Sequence, residues 1–153
     1  MKKILLLSIV IAIVVFVRQQ HWEKSIKIGE SKINIETVDT PEGIEQGLSG
    51  RQDLCSDCGM LFVFKKPDIQ KFWMRRMYFD IDIIWINNNR VVDITYNVQK
   101  PDEIEFEYPT QIYQSSVPCD KVLEVNAGWA EGNAISVGDK VSYSNINLGF
   151  ISF

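Results

Sequence analysis

Two almost uninterrupted apolar runs lie close together in the middle of the chain and limit the folds open to it. Residues 59–64 read GMLFVF, residues 81–86 read IDIIWI, and an FWM cluster lies between them. Runs of this length, rich in β-branched and aromatic residues, are typical of strands buried on both faces of a sheet. Asp82 interrupts the second run at a position where an ionised carboxylate is costly. The runs therefore predict the centre of a sheet, with Asp82 inside it.

Shorter apolar segments on either side predict further strands. Residues 25–38 alternate between apolar and polar side chains around a central Gly-Glu, which indicates two strands joined by a tight turn. Residues 80–98 form the clearest hairpin, with three consecutive asparagines at its turn. Residues 122–126 and 140–143 each predict another strand, and residues 145–153 are a candidate last strand. Many short strands and little helix predict a mainly β domain, either a compact β-sandwich or a barrel-like fold.

One or two short helices are also expected. Thr40 suits the N-cap of a helix, Pro41 suits its first position, and a glycine at position 47 or 50 suits its end. Ile44 and Leu48 are four residues apart and therefore share one face of this helix. Residues 127–133 favour a second, shorter helix. The KKPD segment that follows the first apolar run predicts a turn.

Residues 1–20 form a segment of their own. Lys2 and Lys3 precede the apolar residues 4–17, and Arg18 ends the run. The layout is that of a signal sequence, and no small-residue cleavage site follows it. We therefore expect an uncleaved anchor that contacts the membrane, with residues 21–153 as a mainly β domain on the extracytoplasmic side. If the segment is cleaved, the domain is secreted.

Charge and composition exclude several classes of function. The formal net charge is −4, and no basic run occurs beyond the N-terminal segment. Nucleic acid is therefore not an expected partner. The sole histidine, His21, lies next to the N-terminal segment, so a Ser-His or Cys-His nucleophilic pair is not expected in the domain. We expect no cofactor and no metal site.

Three cysteines allow more than one arrangement. An exported domain permits disulfides, and a bond from Cys119 to Cys55 or Cys58 would close a loop of more than 60 residues. In the loop-entropy model such a closure stabilises a domain by about 4 kcal/mol, so this structural disulfide is the favoured arrangement. The alternatives are a redox pair of Cys55 and Cys58, or part of a zinc site, for which the chain offers a poor set of ligands.

The order of several short motifs resembles one known family. The motifs are Gly47-Leu48 with Arg51, Gly59-Met60-Leu61-Phe62, Phe72-Trp73-Met74, Asp82-Ile83-Ile84, Val122-Leu123-Glu124-Val125-Asn126-Ala127-Gly128 and Gly138-Asp139. Together they resemble the family named domain of unknown function 192, over roughly residues 25–145. The resemblance implies a compact, mainly β fold, often behind a signal sequence or anchor, and it implies no reaction. Family members tend to have FWMKNT where this chain has FWMRRM.

The candidate binding site combines aromatic residues with a basic and an acidic one. We expect a groove formed by Phe72, Trp73, Met74, Arg75, Asp82 and Trp129, with Arg75 as its polar group. An alternative role for Asp82 is a buried structural acceptor, satisfied by Arg75, Arg76 or backbone amides. Asp80 lies two residues away on the same face of the strand, so an acid–base pair is a further alternative.

These features favour a non-catalytic binding or envelope-associated module whose ligand is an envelope glycan or a protein. No catalytic set is evident, and the short N-terminal tether would hold the domain near the bilayer. The alternative is an enzyme or thiol-redox protein that uses Asp82, or Cys55 and Cys58.

Overall fold

A computed structural model describes residues 24–146 as a curled seven-stranded sheet, a half-barrel, with two short helices. The strands are β1 Ser25–Ile28, β2 Ser31–Val38, β3 Cys58–Asp68, β4 Lys71–Phe72, β5 Ile81–Asn87, β6 Arg90–Val98, β7 Tyr113–Gln114, β8 Cys119–Asn126 and β9 Val141–Ser144. The helices are α1 Pro41–Gln46 and α2 Trp129–Gly132.

The large sheet has the order β6-β5-β8-β3-β2-β1-β9, and β4 pairs only with β7. Neighbouring strands are antiparallel except β2 and β3, which run parallel. The curl brings the two edges together at one end, where the amide of Val91 donates to Asp139 and the amide of Val141 donates to Asn89. The mainly β, barrel-like prediction is therefore confirmed as a half-barrel. The β-sandwich alternative is wrong, because one curled sheet takes the place of two stacked ones.

Both faces of the sheet are buried, as the two apolar runs predict. The strand β5 shows this directly, because Ile83 and Trp85 lie on one face whereas Ile84 and Ile86 lie on the other. We call the cluster inside the curl the inner core; its buried residues are Ile26, Ile28, Ile33, Ile35, Leu61, Ile84, Ile86, Val91, Leu123, Val125, Ala130, Ile135 and Val141. The outer core lies on the other face, under α1 and the long loops; its buried residues are Leu48, Leu54, Cys58, Met60, Phe62, Phe72, Met74, Met77, Ile81, Ile83, Trp85, Val98, Cys119 and Val122.

The helix α1 forms where the sequence predicts it. The hydroxyl of Thr40 accepts a hydrogen bond of 3.1 Å from the amide of Gly43, and Pro41 takes the first helical position. Gly47 ends the helix with φ at 48°, a left-handed value that glycine adopts without a Cβ clash. Ile44 packs against the outer core. The helix therefore covers part of the outer face of the sheet.

The KKPD segment differs from its prediction. It does not form a turn, because β3 continues through it to Asp68. The register of β3 against β8 shifts between Val63 and Asp68, and residues 65–68 are exposed. Pro67 is compatible with this part of the strand because a proline there removes no regular ladder bond.

Two predicted segments lie outside the described residues. These are the N-terminal anchor at residues 1–20 and all but the first two residues of the candidate last strand at residues 145–153. Within residues 24–146, no helix has the length and apolar character needed to cross a membrane.

Candidate functional site

A cavity of about 580 Å³ opens on the outer face of the sheet. The helix α1 forms one wall through Ile44, and the segment around β4 forms another. Phe62 and Phe64 of β3 also line the cavity. Three separate parts of the chain therefore enclose this space, and most of the surface they present is apolar.

Aromatic rings make up much of the cavity lining. The ring of Phe72 meets Phe62 edge to face at 4.9 Å between centroids, and it meets Phe64 at 6.4 Å. Its other neighbour is Trp85 of the outer core, at 5.7 Å. Trp73 also lines the cavity, and 43% of its surface is exposed. Phe72 is thus held by packing on several sides, whereas Trp73 extends toward the mouth.

Glu124 is the unexpected residue in this cavity. It lies in the middle of β8, between Met60 of β3 and Ile83 of β5, and only 5% of it is exposed. Its carboxyl group lines the cavity, and no hydrogen bond or ion pair to it occurs within the described residues. Burial raises the pKa of Glu124 to about 8. At neutral pH this group is therefore mostly an uncharged acid that faces an apolar space.

Sequence reasoning missed Glu124 as a site residue, although one signal for it was present. The segment VLEV places an acidic residue between apolar neighbours in a strand that is buried on both faces. Such a position is costly for a carboxyl group without a partner.

Arg75 lies beside the cavity. With Glu42, Ser49 and Arg76 it lines a smaller depression of about 180 Å³ next to α1. The hydroxyl of Ser49 donates to the carbonyl oxygen of Arg75 at 2.7 Å, which fixes the backbone there. The guanidinium of Arg75 lies 3.9 Å from the carboxylate of Glu107. Arg75 is therefore already partnered to an acidic side chain at the edge of the site.

The loop residue Glu107 joins the two arginines. Glu107 accepts hydrogen bonds from Arg76 at 2.7–2.8 Å, and this hydrogen bonding lowers the pKa of Glu107.

The backbone of Arg76 has a φ of 54°, which is uncommon for a residue with a side chain. Met74, just before the two arginines, is buried in the outer core.

Asp82 and Trp129 lie on the opposite face of the sheet. Asp82 is fully buried, and its two oxygens accept from the amides of Asn97 at 2.8 Å and Ala130 at 2.9 Å. Trp129 packs against the inner core. The structure therefore brings Phe72 and Trp73 together in one cavity, but it does not bring Asp82 and Trp129 to them. Of the roles proposed for Asp82, acceptance from backbone amides is the one found.

The predicted pairing of Cys119 with Cys55 or Cys58 is wrong. Cys55 is bonded to Cys58, with 5.2 Å between their Cα atoms, and Cys119 is a free, buried thiol. Cys119 faces Asp68 at the far end of β3, whereas Cys58 begins that strand. Ten residues of strand separate these ends by about 30 Å, and a disulfide needs Cα atoms within about 7 Å. Burial raises the pKa of Cys119.

Across residues 24–146, no three side chains of histidine, cysteine, aspartate or glutamate are grouped so that they could hold a metal ion.

The sequence profile of the family DUF192, described as an uncharacterized ACR, matches residues 24–143. The chain belongs to the DUF192 family. The match covers β1 to β8 and all but the last residue of β9, so the cavity and Glu124 are part of the family domain. No curated protein matches this chain.

Two crystal structures are similar to this DUF192 domain. One is from Sinorhizobium meliloti and is provisionally described as a transcription regulator. It is 26% identical, with a TM-score of 0.70 over 80% of this chain and 95% of that chain. The other, from Novosphingobium aromaticivorans, is described as a protein of unknown function. It is 29% identical, with a TM-score of 0.68 over 77% of this chain and 83% of that chain.

Proposed function

We propose that this DUF192 domain is a binding module that takes a small organic molecule into the cavity lined by Phe72, Trp73 and Glu124. One observation carries the proposal: the nearly buried carboxyl group of Glu124, which has no partner among residues 24–146, faces a mostly apolar cavity. Leaving a polar group unpaired in such a place costs free energy of folding. A ligand that supplies the missing partner would recover part of that free energy as affinity.

The size and lining of the cavity support this proposal. Sites for small molecules have volumes of roughly 300–1,000 Å³ and combine apolar walls with a few polar groups. The cavity has a volume of about 580 Å³, with aromatic walls and one carboxyl group against the sheet. Trp73, which is 43% exposed, lines the cavity, and Arg75 lies beside it. The polar group that orients the ligand is then Glu124 rather than Arg75.

We further propose that residues 1–20 anchor the domain at the extracytoplasmic surface of a membrane, where it acts as an envelope-associated module. Lys2 and Lys3 before an apolar run favour this orientation. The test is a pair of fusions after Phe153. Alkaline phosphatase fused there is expected to be active in cells, and a green fluorescent protein that folds only in the cytosol is expected to be dark. The reverse result would overturn the proposed location.

The binding function is tested with two small probes of one shape, 2-phenylethanol and 2-phenylethylamine. The full chain is placed in lipid nanodiscs and titrated by calorimetry, with empty nanodiscs as the blank. At least one probe is expected to bind. Ile44→Trp fills the cavity from α1 and is expected to weaken this binding by about tenfold or more.

Ile104→Trp is the matched control, because it places the same side chain on an isoleucine that is 88% exposed in a loop. Its affinity is expected to equal that of the unmodified chain. If neither probe binds, or if Ile44→Trp binds as well as Ile104→Trp, the cavity is not the binding site and the proposal is wrong.

A further inference from the structure

The lining of the cavity indicates the chemical class of the ligand as well as where the ligand binds. Glu124 lies against the sheet, and the rings of Phe62, Phe64, Phe72 and Trp73 line the same space. Aromatic faces carry partial negative charge and attract cations. A carboxyl group is an acceptor when it is ionised. The carboxyl group of Glu124, once ionised, and the aromatic faces around it therefore both favour a cation.

Within residues 24–146, no cationic side chain pairs with Glu124. The charged side chains that line the cavity with it are Lys71 and Glu45. Lys71 makes no ion pair with Glu124 within the described residues. The strands on either side of Glu124 present Met60 and Ile83, which carry no charge. A partner for Glu124 would therefore come from outside residues 24–146.

We propose that the ligand is an organic cation, a protonated amine on an apolar body, whose ammonium group contacts Glu124 while the aromatic rings surround it. This inference rests on the proposed binding function and specifies its ligand class. An anionic ligand that reached Glu124 would meet a carboxyl group and aromatic faces, neither of which favours an anion. A purely apolar ligand would leave Glu124 unpaired.

The binding step has a defined proton balance. Before binding, Glu124 holds a proton, because burial raises its pKa to about 8. The ammonium group enters with its own charge, and the carboxyl group gives its proton to the solvent. The bound state is then a charge-assisted pair of carboxylate and ammonium, which is stronger than a neutral hydrogen bond. Close to one proton is therefore released for each amine bound near pH 7.

The first measurement compares 2-phenylethylamine, which is a cation near pH 7, with 2-phenylethanol, which is neutral and has the same shape. The amine is expected to bind about tenfold more tightly or better. In Glu124→Gln the two probes are expected to bind within about twofold of each other, because the acidic partner is gone. Glu131→Gln removes an exposed acid on α2, away from the cavity, and is expected to keep the full preference.

Two further readouts separate a chemical role for Glu124 from a structural one. Calorimetry in buffers of different ionisation enthalpy is expected to show about one proton released with the amine and none with the alcohol. Phe64→Leu keeps an apolar wall but removes a ring. This substitution is expected to weaken the binding of the amine about threefold more than the binding of the alcohol. This variant does not alter Glu124, so it tests the inference even if Glu124→Gln fails to fold.

The outcomes of these experiments test the cationic ligand separately from the proposed binding function. If the alcohol binds as tightly as the amine, and no proton is released, the inference of a cationic ligand is wrong, but the proposed binding function is not contradicted. If neither probe binds, the binding function itself fails. A preference for the amine that survives in Glu124→Gln would also overturn the inference, because the charge would then be recognised elsewhere.

Discussion

Arg51 donates two parallel hydrogen bonds to Glu36, each 2.7 Å long, one from each terminal nitrogen of its guanidinium. Glu36 belongs to β2, and Arg51 follows Leu48 and Ser49, which line the cavity. The pair therefore ties one wall of the cavity to the sheet. The hydrogen bonding to Glu36 raises the pKa of Arg51, and only 18% of the Glu36 side chain is exposed.

We expect Arg51→Ala to lower the free energy of unfolding by about 1 kcal/mol, because a half-exposed pair is partly screened by solvent. Thermal unfolding of the full chain, followed by circular dichroism, measures the change. Lys27→Ala is the control, because the ion pair between Lys27 and Glu30 is largely exposed. This variant is expected to lower the free energy of unfolding by less than about 0.5 kcal/mol. Equal losses from the two variants would contradict a special role for Arg51.

Asp82→Asn is expected to destabilise the domain by about 2 kcal/mol. Each oxygen of Asp82 accepts from a buried backbone amide, and the new amide group presents a donor to one of them. Chemical denaturation of the full chain measures this loss. Asp80→Asn is the matched control, since Asp80 accepts from the amide of Lys100 in exposed surroundings. If Asp82→Asn lowers the free energy of unfolding no more than Asp80→Asn does, the carboxylate of Asp82 does not stabilise this part of the fold.

Local patterns were sufficient to predict most of the described secondary structure. The Thr40-Pro41 start of α1 and the asparagine turn between β5 and β6 depend on neighbouring residues, so the sequence shows them directly. Asn88 and Asn89 both have positive φ, as such a turn requires. The parallel pairing of β2 with β3 and the curl of the sheet depend on contacts between distant segments. No local pattern encodes those contacts.

The candidate site was only partly predictable for a related reason. Phe72 and Trp73 were expected at a binding site, and they line the cavity. The sequence does not separate Asp82 from these residues, because β5 is apolar on both faces and alternation does not show which face of the strand a given loop covers. Glu124 enters the site only because α1 and β4 fold over β8. That arrangement could not be read from one sequence.

The cysteines are expected to give distinct counts under three conditions. The folded, non-reduced protein is expected to show almost no reactive thiol, because Cys119 is fully buried and burial raises its pKa. Denaturation without reductant is expected to expose one thiol, and denaturation with reductant three. The assay uses a coloured disulfide reagent, and peptide mapping identifies the free residue. Finding Cys55 or Cys58 as the free thiol would contradict the Cys55–Cys58 bond.

The stability of the domain is expected to fall as the pH rises from about 4.5 to about 8, the interval between the ordinary pKa of a glutamate and that of folded Glu124. In this interval the folded state keeps a proton that the unfolded state releases, so unfolding becomes easier as the pH increases. The neighbouring charges in the cavity, Glu45 and Lys71, do not reverse this sign, because burial alone raises the pKa of Glu124.

Glu124→Gln removes the titrating group and is expected to flatten this dependence. Each unit of pKa difference corresponds to about 1.4 kcal/mol, so the two proteins are expected to differ by several kcal/mol more at pH 8 than at pH 5. Unfolding curves of the full chain at a series of pH values measure the difference. Glu131→Gln, an exposed acid, is expected to follow the unmodified chain. Parallel curves for Glu124→Gln and the unmodified chain would mean that Glu124 ionises normally in the fold, which would contradict the proton release expected when an amine binds.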